Sequence, residues 1–167
     1  MALEETPPSV GTEENLRIKF LTTIASGTLA PTVTEWEAGD DITYSLTPDG
    51  WKPTGSQATV VDDRLTLAQA MERPGKKTKS LTVQYVYGDA DDTADTTLVE
   101  GTAGYVVVRA AVPNATAGTA AQKVTVWPVL CGEQMEDPAV ANGVFTVTQQ
   151  LFVTGQVKQR IAMLAGS

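Results

Sequence analysis

Apolar and polar positions alternate along most of this chain, and Gly and Pro interrupt the alternation at short intervals. From Leu81 to Tyr87, Leu81, Val83, Tyr85 and Tyr87 alternate with Thr82, Gln84 and Val86, the period of two expected of a strand with one buried face. Between Tyr105 and Val112 the period is lost. Val106, Val107 and Val108 follow one another and Arg109 is the only charge, so this strand is expected to be apolar on both faces and to lie deep. The two strands flank an acidic loop, in which Asp89, Asp91, Asp92, Asp95 and Glu100 occur with no base among them. That charge must face water or a partner, and a short helix is expected near residues 91–100. The Ser80–Val112 unit is the centre to which the other strands attach.

Before it, Leu16, Ile18 and Phe20 alternate with Arg17 and Lys19, predicting a strand over about 16–25. Pro31 and the β-rich Thr32–Trp36 run predict a second strand, joined by a turn at Ala38–Asp41 to a third over Ile42–Leu46. Pro48, Gly50, Pro53 and Gly55 surround Trp51 and predict an irregular loop. Trp51 either folds back on its own domain, the simpler reading, or points outward as an anchor for another subunit. Gln57–Val61 reads as a short strand. Over Leu65–Arg73, Thr66 with Gln69 suits a helix capping box while Leu65 and Leu67 alternate as in a strand; strand is favoured. Pro74-Gly75 reads as a stop, and Arg73, Lys76, Lys77 and Lys79 as a basic turn.

After the central unit, Val124, Val126 and Leu130 alternate with polar neighbours, and Phe145, Val147, Leu151 and Val153 form the apolar side of a closing strand. The last residues carry Ile161, Met163 and Leu164, and such apolar tails dock on something. About eight short strands and one short helix predict an all-β fold, a β-sandwich or flattened barrel. Residues 1–14, with Glu4, Glu5, Glu13 and Glu14 around Pro7-Pro8, read as a flexible arm. The division is then 1–14 arm, 15–155 β-domain and 156–167 C-terminal arm.

Composition narrows the function. With 167 residues and 42% apolar residues the chain suits one folded domain. Its net charge of −8 argues against wrapping nucleic acid, which depends on Lys and Arg replacing counterions at phosphates. Cys131 is the single cysteine, so an intrachain disulfide is excluded and the thiol is expected to be a small buried group. No run reaches the roughly 20 apolar residues of a membrane helix and the N-terminus does not read as a signal peptide; synthesis and folding in a cytoplasm are expected, without stable membrane insertion. The Asn114-Ala115-Thr116 sequon is then a chance match.

Candidate chemistry is sparse. There is no histidine, which excludes a Ser-His-Asp triad, a Cys-His pair and His-ligated zinc. Asp40-Asp41 and Asp62-Asp63 are carboxylate pairs, but neighbours on a strand point to opposite faces and do not converge on one substrate. Counting from Asp89, Asp91 and Glu100 fall at the third and twelfth positions of a calcium loop, yet Ala94 stands where glycine is needed and Thr93 where a ligand is needed. No phosphate-binding glycine loop is present. No enzyme, cofactor or metal is expected.

The run Arg64–Gly88, the short acidic insert, Leu98–Val112 and the closing strand Gly143–Val157 together resemble the major tail tube proteins of long-tailed bacteriophages. The likeness spans roughly Ile42 to the C-terminus and rests on a pattern: a strand ending in Tyr85-Val86-Tyr87-Gly88, a glycine before an apolar strand carrying one arginine, and Pro-Gly between strands. The resemblance implies a β-sandwich that assembles into hexameric rings, stacked as a tube in the virion tail. Such a tube encloses a tape-measure protein, meets tail-tip and terminator proteins, conducts DNA as non-specific cargo, and is assembled in the host cytoplasm. Candidate inter-subunit contacts are Trp51, the basic Arg73, Lys76, Lys77 and Lys79, and the acidic Asp89, Asp91, Asp92 and Asp95. Candidate acids of the lumen wall are Glu35, Glu37, Asp62 and Asp63, since a wall poor in Lys and Arg does not hold phosphates. The rival reading is a monomeric carbohydrate- or protein-binding β-sandwich, such as a head-decoration or display module. A carbohydrate face needs clustered aromatics, and the three Trp, four Tyr and three Phe are scattered.

Overall fold

The computed structural model describes residues 7–166. In chain order it contains β1 (Leu16–Leu21), α1 (Val33–Ala38), β2 (Asp40–Asp41), a 3₁₀ turn (Thr43–Ser45), β3 (Leu46–Asp62), β4 (Met71–Val86), α2 (Thr93–Thr97), β5 (Ala103–Ala110), β6 (Lys123–Glu136), β7 (Thr146–Val153) and β8 (Lys158–Ala162). The strands form one antiparallel sheet in the order β2-β1-β5-β6-β7-β4-β3, with β8 added to β6. The all-β class and the helix near 91–100 are as the sequence predicts. Of the N-terminal arm, residues 1–6 with Glu4 and Glu5 lie outside the described residues.

The sheet curls because one internal strand, β6, serves different neighbours along its length. The first half of β6 pairs β5 on one side and β8 on the other, and its second half pairs β7 past a bulge between Cys131 and Gln134. The concave face holds the main core: Ile18, Phe20, Val106, Trp127, Val129, Cys131, Val147, Leu151, Leu81, Val83 and Tyr85, closed by Ile42 and by Ala94 and Leu98 of α2. The opposite face of β1, β5 and the start of β6 is also covered. There Leu21, Val107, Val124 and Val126 pack under Trp36 of α1 and Met163 after β8. This second cover is why Val106 and Val107 are both buried and why the central apolar run breaks the period of two. On β4 and β7 the outer face is wet, and the alternation persists.

The second cover encloses two cations. Arg109 is fully buried and Lys19 nearly so. Lys19 Nζ donates to the Trp36 carbonyl at 3.0 Å and lies 5.2 Å from its ring centroid. The Arg109 guanidinium lies 5.4 Å from the same ring, donating to Gln122 Oε1 and the Pro113 carbonyl. Desolvation lowers the pKa of both groups, and the indole face offsets part of that cost.

Several predicted boundaries are corrected. Residues 33–38 form α1 rather than a strand. Thr32 Oγ1 accepts from the Glu35 amide at 3.2 Å and Glu35 Oε2 accepts from the Thr32 amide at 2.8 Å, a capping box that overrides the β preference of Val33 and Thr34. The expected strand over 42–46 is mostly the 3₁₀ turn. Pro48–Gly55 is not a loop but part of β3, and Pro74-Gly75 is not a stop but lies inside β4. Both strands tolerate proline there because β3 is an edge strand and the register shifts between Gln57 and Thr59. Residues 65–70 are the turn joining β3 to β4 rather than a strand, so Arg73, Lys76, Lys77 and Lys79 stand on a strand and not on a turn. Gly50 is buried against β4, where a Cβ would run into the Gln84 carbonyl.

Candidate functional site

The β3–β4 pair extends far beyond the body. β4 pairs β7 only from Leu81 to Val86, whereas its pairing with β3 continues to Met71 opposite Asp62. Residues 52–61 are exposed without exception, as are most of 71–80. The result is a two-stranded ribbon wet on both faces. Its end carries apolar side chains in water: Val60 is 52%, Val61 58%, Leu65 95% and Met71 60% exposed. Sequence reasoning missed this end, although Val60, Val61 and Leu65 beside Asp62-Asp63-Arg64 are a visible apolar cluster.

The predicted contact residues fall in three places. Trp51 sits where the ribbon leaves the body, half-buried, with its ring centroid 6.4 Å from that of Trp127 in an edge-to-face arrangement. Lys79 Nζ lies 5.6 Å from the same Trp127 ring. Arg73 is at the distal end, ion-paired to Asp62 at 3.0 Å. Lys76, Lys77 and Lys79 line a cleft of about 480 Å³ between the ribbon and residues 153–159. Asp89, Asp91, Asp92 and Asp95 occupy the loop and α2 beyond the other end of β4. There Asp92 Oδ2 accepts from the Asp89 amide at 2.8 Å and Asp89 Oδ1 accepts from the Asp91 amide at 3.3 Å.

The four candidate lumen acids are on two elements. Glu35 caps α1 and accepts from the Ala25 amide at 2.8 Å, and Glu37 accepts from the Gly118 amide at 2.7 Å. Asp62 accepts from Arg64 and Arg73 at the ribbon end, with Asp63 exposed next to it. The structure does not bring these two pairs together.

The wet side of β4 and β7 is a polar surface made by Thr82, Gln84, Thr146, Thr148 and Gln150, with Lys52 of β3 opposite Thr82. One carboxylate ties it together: Asp137 accepts from Gln84 Nε2 at 2.9 Å and from the hydroxyls of Thr146 and Thr148 at 2.9 and 2.8 Å. Those hydrogen bonds hold its pKa below the usual carboxylate value. Beneath this surface Tyr85 donates to Gln149 Oε1 at 3.0 Å, and burial pushes its pKa up to about 12. Burial likewise pushes the Cys131 thiol up to about 11, so it stays protonated and unreactive at neutral pH. Among the described residues, no group of three or more Cys, Asp or Glu side chains is placed to hold a metal ion, and no helix is long and apolar enough to cross a membrane.

A curled antiparallel sheet with a projecting ribbon and no reactive centre fits a family described as phage tail tube protein, whose sequence profile matches residues 4–166. The chain belongs to the phage tail tube protein family. As a tail tube protein it is a structural component of the virion tail. A search of curated proteins finds no match. Among solved structures, a chain from the virion of a native gene transfer agent particle is 13% identical, with a TM-score of 0.53 over 90% of this chain and 99% of its own. A chain from the baseplate of the anti-feeding prophage, solved with 6-fold symmetrisation, is 10% identical, with a TM-score of 0.52 over 98% of this chain and 100% of its own. At such identities the likeness is one of fold. It spans 90% or more of this chain in both cases.

Proposed function

We propose that this tail tube protein polymerises as hexameric rings that stack into the tube of a phage tail, enclosing the tape-measure protein during assembly and later conducting DNA into the host. The observation that carries the reading is the β3–β4 ribbon. A two-stranded ribbon exposed on both faces is at best marginally stable in water, and its apolar end, Val60, Val61, Leu65 and Met71, gains by being covered. An assembly of identical subunits supplies that cover and also removes the open edge of β3. Six subunits per ring accord with the symmetry at which the anti-feeding prophage neighbour was solved.

The Thr and Gln surface of β4 and β7 suits a wall past which DNA slides, because most of its side chains are uncharged and its carboxylate, Asp137, repels phosphates, with Lys52 of β3 beside it. The role is structural and involves no catalysis. Rings form in the host cytoplasm, start on tail-tip proteins and are capped by a terminator. Negative-stain electron microscopy with light scattering on concentrated protein tests the reading. Hollow tubes or stacked rings are the expected result; a chain that remains monomeric, with tail-tip proteins added as well as without, overturns it.

A further inference from the structure

Two groups of like charge, one basic and one acidic, are set apart along one strand. Midway along β4, Lys76, Lys77 and Lys79 face the 153–159 segment across the 480 Å³ cleft, and no acid lines it. Lys77 and Lys79 share a strand face with Leu81, the side that turns into the core, so the cleft opens where the ribbon leaves the body. At the C-terminal end of β4 the chain enters the acidic loop, with Asp89 and Asp91 exposed. Among the described residues neither group takes part in an ion pair; the three present join Arg17 to Asp41 and Asp62 to Arg64 and Arg73. In a chain of net charge −8, an all-lysine cleft has the minority sign.

We propose that the lysine cleft receives the Asp89–Asp95 loop of a second copy of this chain, head to tail, and that this is the axial contact between successive rings. The inference rests on the tail-tube reading and names the surfaces that join. The two patches are different and are separated along one strand and the loop that follows it, so repeating the contact propagates in one direction without closing, as a heterologous interface does in a filament. From Lys77 to Val86 the strand spans about 30 Å at ~3.3 Å per residue, which is the separation of the two patches along it. An acidic protein segment is favoured over a nucleic-acid phosphate because a cleft of three lysines in an otherwise acidic protein releases few counterions and repels a polyanion beyond the cleft itself. One exposed pair contributes little; a ring repeats it with every subunit.

The test uses the full-length protein with K76E/K77E, D89K/D91K and the four changes combined, all at exposed positions that leave Lys79 over Trp127. Tubes are scored by sedimentation and electron microscopy at low salt, with thermal melts to establish folding. Each double variant is expected to lose tubes while melting like wild type, and the combined variant is expected to regain them. Wild-type tubes that persist in both double variants, or a folded combined variant that stays without tubes, overturn the contact and leave the tail-tube reading standing. Intact tubes from K76E/K77E with lost retention on duplex DNA assign the cleft to nucleic acid instead, and overturn it equally. Wild-type protein that forms neither rings nor tubes, tail-tip proteins included, overturns the tail-tube reading itself.

Discussion

β4 passes through two environments within one strand. From Leu81 to Val86 it is paired on both sides, by β3 and β7, and Leu81, Val83 and Tyr85 are wholly buried. From Met71 to Ser80 its one neighbour is β3, and almost every side chain is in water. Pairing with β3 runs through both halves, and pairing with β7 is confined to the body. What changes with it is the side-chain burial, and burial is the dominant favourable contribution to folding. The body therefore carries its own core, while the ribbon is held by pairing with a single strand and leaves its apolar end in water.

The largest effect that sharpens this contrast is expected in the body. Leu151→Ala removes a fully buried side chain from the main core and should cost about 2–5 kcal/mol in denaturant unfolding, enough to unfold much of the protein. Thr32→Ala breaks the capping box that holds Trp36 over Lys19 and Arg109, and should cost about 0.5–2 kcal/mol in the same measurement.

Acid titration probes the seam between body and wet face. Asp137 has its carboxyl held below the ordinary value of 3.8 by hydrogen bonds from Gln84, Thr148 and Thr146. A depressed folded-state pKa means that its contribution is present above the unfolded value and disappears as pH falls through the folded one. Asp137→Asn should therefore flatten the dependence of stability on pH below about 4, seen as melting temperatures that fall less steeply on acidification than those of wild type. An unchanged acid limb would assign the acid sensitivity to other carboxylates.

The smallest effect on stability is expected at the ribbon end. Leu65→Ser should alter unfolding free energy by no more than about 0.5 kcal/mol while reducing tube formation in light scattering. If instead it destabilised the monomer as a core change does, the division between body and ribbon would be broken.

The same division explains which parts of the fold were readable from sequence. Alternation over Leu81–Tyr87, the buried run at Val106–Val108, the inert Cys131 and the short helix among the acids all follow from local pattern, because each belongs to the body, where burial writes the pattern. The apolar tail was readable as a docking segment, and Met163 docks on its own chain under α1. The ribbon was not readable, since no face of it is buried and Pro48, Pro53, Pro74 and Gly75 carry the ordinary signs of turns. Only an edge position and a bulge make them compatible with strand. α1 was missed for a different reason: Val33, Thr34 and Trp36 favour strand one by one, and the Thr32-to-Glu35 pairing outweighs them. The cleft was half readable. Its lysines are contiguous in sequence, but its other wall comes from residues 153–159, which only the curl of the sheet brings near.

The distribution of basic residues along the two regions also makes the ribbon a natural entry point for proteolysis. Lys19 and Arg109 are sealed beneath Trp36, whereas Arg64, Lys76 and Lys77 are exposed on the ribbon and its turn, so trypsin meets scissile bonds there before it can reach the interior. A nick at Arg64 leaves both halves held by the body. Under the proposed assembly, free subunits are vulnerable in the segment they use to polymerise while joined subunits are shielded there, so digestion is expected to remove the unassembled pool and spare the finished tail.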